Sequence, residues 1–140
     1  MSYAFKRSIS KALSFFGARR EIFIGWLYLI PRILGVVDTQ YQRWEDTEAH
    51  FCKAIDIGTA EEAYPELARS YFDYAQMLLS RGELNDIQHA TELAKKSLSI
   101  FTELDMEPFR KRVNDFLSQL SDCTTDRLLP ELFYTVQDKT

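Results

Sequence analysis

The spacing of the apolar residues constrains this chain most, because they recur every three or four positions and no stretch alternates strictly between apolar and polar residues. This period is that of an α-helix with one buried face, whereas a β-strand has a period of two. The 140 residues include only five glycines and four prolines, which is too few turn-forming residues for an all-β fold. The sequence therefore predicts an all-α protein whose helices are joined by short links.

Six helices and a C-terminal tail follow from this pattern. Glycine or proline marks most of the helix ends, because glycine ends a helix readily and proline is tolerated in its first turn. Inside the second helix we expect a bend at Pro31. The polar stretch 121–126 predicts a linker, so we divide the chain into a helical domain (1–120) and a linker with a short C-terminal tail (121–140). The predicted helices cover about residues 5–16, 19–39, 44–57 (ending at Gly58), 65–81, 85–104 and 108–120.

Charge is distributed unevenly along the chain. The first twenty residues contain five basic side chains and no acidic one, whereas the rest contains 12 basic and 21 acidic side chains. An acidic body argues against nucleic-acid binding, which depends on neutralising phosphate groups. The basic start is compatible with a solvated helix face, with contact to an acidic partner, or with a membrane-surface anchor in residues 1–30.

Cysteine usage and hydropathy bear on where the protein works. Only Cys52 and Cys123 occur, without a CxxC pair or a framework spacing, which predicts a reducing, cytoplasmic setting. The apolar stretch 22–37 is interrupted by Pro31 and Arg32 and is shorter than the roughly 20 residues that span a bilayer. It also follows five basic residues and lacks a small-residue cleavage site, unlike a secretory signal. We therefore expect a buried helix there instead of a membrane-spanning segment, and membrane contact is not the favoured interpretation.

Three stretches of the sequence are similar to one another at a near-constant period: 6–20, 49–63 and 90–108. Each places a small residue ahead of apolar ones, and these small residues are separated by 42 and 43 positions: Ala12, Ala54 and Ser97. The preceding helices also match, since Gly35 and Ala75 lie 19–22 residues ahead of the corresponding small residue. Because each helix pair has an apolar face that only a neighbour can cover, such pairs stack. The sequence predicts a short solenoid of antiparallel helix pairs, about two and a half repeats long.

Residues 66–106 resemble a complete tetratricopeptide repeat, and residues 42–58 resemble the turn and second helix of another. Tyr71, Ala75, Gly82, Ala90 and Ser97 fall where the family pattern has an aromatic residue, a small residue, a turn glycine and two more small residues. The resemblance covers about residues 5–120 and is greatest to the long-period arrays of bacterial ATP-dependent regulators, nucleotide cyclases and signalling kinases. It implies a right-handed solenoid. The chain departs from the pattern in its period, which exceeds the usual ~34 residues, and in Gln42, which replaces a turn glycine.

The resemblance implies a protein–protein interaction module, because the first helix of each pair lines a concave groove in this family. A groove that combines arginine, aromatic and amide side chains is suited to an extended acidic or carboxylate-bearing peptide. Phe72 and Leu79 fit the solenoid core equally well. The predicted groove residues are Leu29, Arg32, Val36, Thr39, Arg69, Phe72, Gln76 and Leu79.

A second hypothesis concerns the start of the array, which resembles the second half of a repeat. The apolar face of its first helix then lacks a neighbour, although solenoid ends normally need a polar cap. A missing repeat, a second copy in a homodimer or another partner would cover it, as in a regulatory or oligomerisation segment of a larger signalling protein. The residues of this predicted exposed end face are Phe5, Ile9, Leu13 and Phe16.

The sequence contains none of the common catalytic or phosphate-binding motifs. His50 and Cys52 are two positions apart and point to different faces of a helix, so no set of four zinc ligands can be assembled from local spacing. We expect both histidines, His50 and His89, on helix surfaces. The sequence therefore predicts a protein that is not an enzyme and that uses no cofactor and no metal.

Overall fold

In the computed structural model, backbone structure is described for residues 20–137 and side chains for residues 29–123. This part of the chain contains no strand, which confirms the all-α prediction. The first predicted helix lies outside the described residues, together with Phe5, Ile9, Leu13 and Phe16. The five described helices are α1 (Arg20–Gln40), α2 (Trp44–Ala60), α3 (Tyr64–Arg81), α4 (Asp86–Glu103) and α5 (Glu107–Gln137).

Each helix packs against the next one in the chain, and α1 also contacts α3 beside α2. The contacts within the pairs α1–α2 and α3–α4 are more extensive than those between α2 and α3. One apolar core runs through α2, α3, α4 and α5, with Phe51, Met77, Leu78 and Phe101 fully buried in it.

Small side chains lie where these helices approach one another, as the sequence predicts. The five predicted positions are all buried: Gly35, Ala54, Ala75, Ala90 and Ser97. A Cβ atom built on Gly35 would lie 3.0 Å from the ring of Phe51 in α2, closer than packed side chains approach. The Ser97 hydroxyl donates a buried hydrogen bond of 2.8 Å to the carbonyl of Ala68 in α3, so the one polar member of this set is satisfied.

Three of the four turns between helices have the same backbone geometry. In each, one residue adopts a left-handed conformation: Gln42 (φ 57°), Glu62 (φ 58°) and Asp105 (φ 53°). The amide of the residue that follows reaches back to a carbonyl in the last helical turn, as from Arg43 to Asp38 at 3.1 Å. This is the Schellman arrangement, in which glycine is the usual residue. The fourth turn does use a glycine, Gly82 (φ 72°).

We expect Gln42→Gly to raise the free energy of unfolding by about 1 kcal/mol, because the left-handed conformation costs a side-chain-bearing residue roughly 1–2 kcal/mol. Urea denaturation of the two proteins measures the difference. Lys53→Gly is the matched control, since it places the same residue on the exposed surface of α2 and should lower stability by about 1 kcal/mol. A destabilised Gln42→Gly protein would contradict this account of the turn.

The end of α2 differs from the prediction, and α4 begins without the side-chain cap that an asparagine can supply. Gly58 lies inside α2, which continues to Ala60, because its role is tertiary: a Cβ atom there would lie 3.2 Å from Leu67 of α3. Asn85 precedes α4 without a side-chain capping bond. Instead the Asp86 carboxylate accepts the Glu83 amide at 2.9 Å. The predicted start near Pro65 is confirmed, since α3 begins at Tyr64 with this proline in its first turn.

The polar stretch 121–126 is helical, not a linker, because α5 runs unbroken from Glu107 to Gln137. Residues 121–126 contain neither glycine nor proline, and serine, threonine and aspartate are only mildly unfavourable within a helix. The Ser121 hydroxyl stays within the helix by donating to the carbonyl of Ser118 at 2.7 Å. The domain boundary after residue 120 stays a prediction.

Pro31 is also accommodated within a helix, since α1 is continuous through it. None of the described helices is long and apolar enough to cross a membrane.

Candidate functional site

A cavity of about 260 Å³ opens between α1 and α3, with α2 behind it. Of the eight predicted groove residues, three line it together: Val36, Thr39 and Gln76. Another concavity of about 390 Å³ is lined by α4 side chains alone. We take the first cavity as the candidate site, because three helices contribute to it. Its full lining is Val36, Thr39, Gln40, Phe51, Asp73, Gln76, Met77 and Ser80.

The floor of the cavity is apolar and fixed in position. Phe51 and Met77 are fully buried within the core. The ring of Phe51 stacks on the ring of Tyr74 with 5.6 Å between centroids, and Gly35 allows it to lie directly against the α1 backbone. Because neither Phe51 nor Met77 is accessible to solvent, Val36 is the apolar lining residue that a ligand side chain would contact, above this fixed floor.

The charged groups beside the cavity are paired with one another. Arg32 of α1 donates to both Glu66 and Asp73 of α3, and its Nη1 lies 2.6 Å from Oδ2 of Asp73. Arg69 adds a weaker contact to Glu66 at 3.3 Å. Burial raises the pKa of Asp73, and the hydrogen bond from Arg32 opposes this rise. The two arginines that the sequence placed in the groove are thus engaged by carboxylates of the same chain.

Two predicted groove residues are directed toward α5 instead of the cavity. Phe72 is 5% exposed and makes an edge-to-face contact with Phe116, with 5.5 Å between centroids. The guanidinium of Arg69 lies over the ring of Phe109 at 4.9 Å from its centroid. Both residues therefore help to hold α5 on α3. Arg69 does so by a cation–π contact, in which the guanidinium stays charged.

The remaining two predicted groove residues, Leu29 and Leu79, are half-buried. Leu79 packs against the core. Neither lines the cavity.

The polar groups on the rim differ in whether they are already satisfied. The Thr39 hydroxyl donates to the carbonyl of Gly35 at 2.8 Å, and the Ser80 hydroxyl donates to that of Gln76 at 3.0 Å. The side-chain amides of Gln40 and Gln76 are exposed and make no hydrogen bond to any described residue. They are therefore the rim groups that can bond to a ligand without breaking an existing contact.

Of the five lining residues that sequence reasoning did not place in the groove, Gln40 and Asp73 matter most for the chemistry of the site. Gln40 follows Val36 by four residues, so the helical periodicity that placed Val36 in the groove also predicts Gln40 there. Asp73 carried no such signal, because its role depends on Arg32, which is 41 residues away in the chain.

A second polar cluster ties α2, α3 and α4 together. Arg81 donates to both carboxylate oxygens of Asp86, at 2.9 and 2.7 Å, and to Glu48 at 3.2 Å. Glu48 also accepts a hydrogen bond of 2.6 Å from the Tyr74 hydroxyl. Burial and this bond raise the pKa of Tyr74, so the phenol stays protonated. The cluster is a structural connection, since Arg81 of α3 pairs with carboxylates of both α2 and α4.

The histidines and cysteines do not converge on a common site. His89 is exposed, as the sequence predicts, whereas His50 is partly buried with Nε2 3.9 Å from Oδ2 of Asp38. Cys52 and Cys123 are exposed free thiols. Among the described side chains, no group of three or more histidine, cysteine, aspartate or glutamate residues is placed to hold a metal ion.

Comparison of the chain with protein-family models, with curated proteins and with solved structures finds no match in any of the three. The resemblance to tetratricopeptide repeats therefore rests on the sequence pattern, and the function has to be argued from the geometry of the cavity between α1 and α3.

Proposed function

We propose that this chain is a helical-repeat module that binds an extended segment of a partner protein in the groove between α1 and α3. The observation that carries the proposal is the cavity itself. It brings together the exposed side chains of Val36, Gln40 and Gln76 above a fixed floor formed by the fully buried Phe51 and Met77. An apolar anchor beside a few convergent polar groups is the usual composition of a peptide-binding groove.

The turn geometry supports the repeat arrangement within this proposal. The left-handed residues that follow α1 and α3, Gln42 and Gly82, are 40 positions apart, and those that follow α2 and α4, Glu62 and Asp105, are 43 apart. On this basis α1 corresponds to α3 and α2 to α4. Direct contact between the corresponding helices α1 and α3 is what stacked helix pairs in a solenoid require.

The groove is tested by a substitution that fills it. We expect Val36→Arg to weaken binding of peptides selected from a surface-displayed random library by about tenfold or more, a change of about 1.4 kcal/mol. Val37→Arg is the matched control, because Val36 and Val37 are similarly exposed, at 36% and 42%, but only Val36 lines the cavity. Fluorescence titration of selected peptides measures both. Equal binding by the two variants would reject the groove.

A second function, an assembly segment of a larger signalling protein, is favoured by an apolar stripe on α1. Its four side chains are between 42% and 47% exposed: Ile30, Ile33, Leu34 and Val37. In α3, the residues 40 positions after Leu34 and Val37 are Tyr74 and Met77, which are buried. An uncovered stripe at positions that are buried in the next repeat is typical of an association surface.

Self-association is tested by placing charge on this stripe. If α1 joins two copies, Leu34→Asp with Val37→Asp will convert a concentration-dependent dimer to a monomer in analytical ultracentrifugation. The control is Val36→Asp with Gln40→Asp, which places two charges on the groove side of the same helix. A wild-type protein that is monomeric at all concentrations would exclude self-association through this stripe.

A further inference from the structure

We infer that the groove between α1 and α3 selects an uncharged, extended peptide segment, held through its main chain by Gln40 and Gln76, with one apolar side chain in the cavity. This inference rests on the proposed groove function and names the chemistry of its partner. It differs from the acidic peptide that the arginines predict in the sequence.

Charge pairing within the protein is the first argument. An acidic ligand would have to compete with Asp73 and Glu66 for Arg32, whose Nη1 already lies 2.6 Å from Asp73. The side chains of this pair are only 18% and 20% exposed. Drawing Arg32 away would leave a largely buried carboxylate without its partner, which is strongly unfavourable. A basic ligand would have to compete with Arg32 for Asp73, because this carboxylate is already paired.

The second argument concerns the groups that are not engaged. A glutamine side chain offers one carbonyl acceptor and two N–H donors, which match the C=O and N–H groups of a peptide unit. Gln40 on α1 and Gln76 on α3 stand on opposite walls of the cavity. An extended main chain lying between them would bond to both, whereas the hydroxyls of Thr39 and Ser80 are already committed to the helices.

The size of the cavity is the third argument. At about 260 Å³ it lies just below the roughly 300–1,000 Å³ typical of pockets that enclose a small-molecule ligand. Its accessible apolar lining is Val36, which is 36% exposed, above the fully buried floor of Phe51 and Met77. This space can hold an apolar side chain that projects from a segment lying along the groove.

The experiment compares three surface-displayed random peptide libraries of equal length, built from uncharged residues alone, from uncharged and acidic residues, and from uncharged and basic residues. We expect binders that are lost in Val36→Arg to come from the uncharged set, or to lack net charge when they come from the others. Their affinity should change less than twofold between about 50 mM and 200 mM salt, because no counterions are released on binding.

Glutamine variants test the main-chain contacts. Gln40→Leu and Gln76→Leu should each weaken the selected uncharged peptides by about tenfold. Gln88→Leu, at an exposed glutamine on α4, should leave their affinity unchanged.

The outcomes separate this inference from the function on which it rests. Binders that need Val36 but carry acidic residues and weaken with salt would keep the groove and overturn the inference. Uncharged binders that tolerate both glutamine variants would also overturn it. If no library yields a binder that needs Val36, the groove function itself fails.

Discussion

Phe51→Ala should lower the free energy of unfolding by about 3–5 kcal/mol. The Phe51 ring is fully buried, fills the space left by Gly35 in α1 and stacks on Tyr74 in α3. Removing it opens a cavity at the point where three helices meet, so the loss includes contacts to both neighbouring helices. Urea denaturation followed by circular dichroism measures the change.

Tyr64→Ala is the control for Phe51→Ala, because Tyr64 is also aromatic but is 49% exposed. It should cost well under half as much, since less apolar surface is withdrawn from water. Equal losses for the two variants would mean that Phe51 does not couple the helices.

The second large effect is expected for Arg81→Met, which should lower the free energy of unfolding by about 3 kcal/mol. This change removes the partner of Asp86, whose side chain is only 5% exposed, and truncating one member of a buried ion pair leaves an uncompensated charge. Arg110→Met is the matched control, since Arg110 pairs with the exposed Glu107 and such pairs contribute at most about 1 kcal/mol. A cost for Arg81→Met no greater than for Arg110→Met would contradict the buried role of the pair.

The cost of Arg81→Met should also shrink at acid pH. The hydrogen bond from Arg81 lowers the pKa of Asp86 in the folded protein. The stability that this provides is present above the unfolded aspartate pKa of about 3.9 and is lost as pH falls through the lower folded value. Urea midpoints of both proteins at neutral pH and near pH 3 measure the difference between them. A difference that stays constant with pH would show that Asp86 is not the group involved.

The helices were predictable because their signal is local. Apolar residues at three- and four-residue spacing set most of the helical segments, and the small residues Gly35 and Ala75 set the repeat register that placed Val36 and Gln76 together. The predicted end of α2 was wrong because Gly58 was interpreted as a helix-terminating residue. Glycine is required there by the close approach of Leu67 from α3. The continuity of α5 was missed since polar composition alone does not break a helix.

The chemistry of the groove could not be predicted in the same way. Arg32 was expected to bind an acidic peptide, but its partners Glu66 and Asp73 reach it only when α1 packs on α3, across 34 and 41 residues of chain. Phe72 was expected to be either groove or core, and only its contact with Phe116 assigns it to the core. Periodicity thus places a residue on a face of its helix but does not identify what lies opposite.

The cavity also lies at the junction between two helix pairs, α1–α2 and α3–α4. The pairs α1–α2 and α3–α4 are each more extensively packed than the junction between them, and the two walls of the cavity belong to different pairs. The pairs are therefore expected to behave as separate units in hydrogen exchange, with the junction opening at lower free energy than either pair. A segment bound across this junction would link the two units. Binding would therefore slow amide hydrogen exchange in α1 and α3 together.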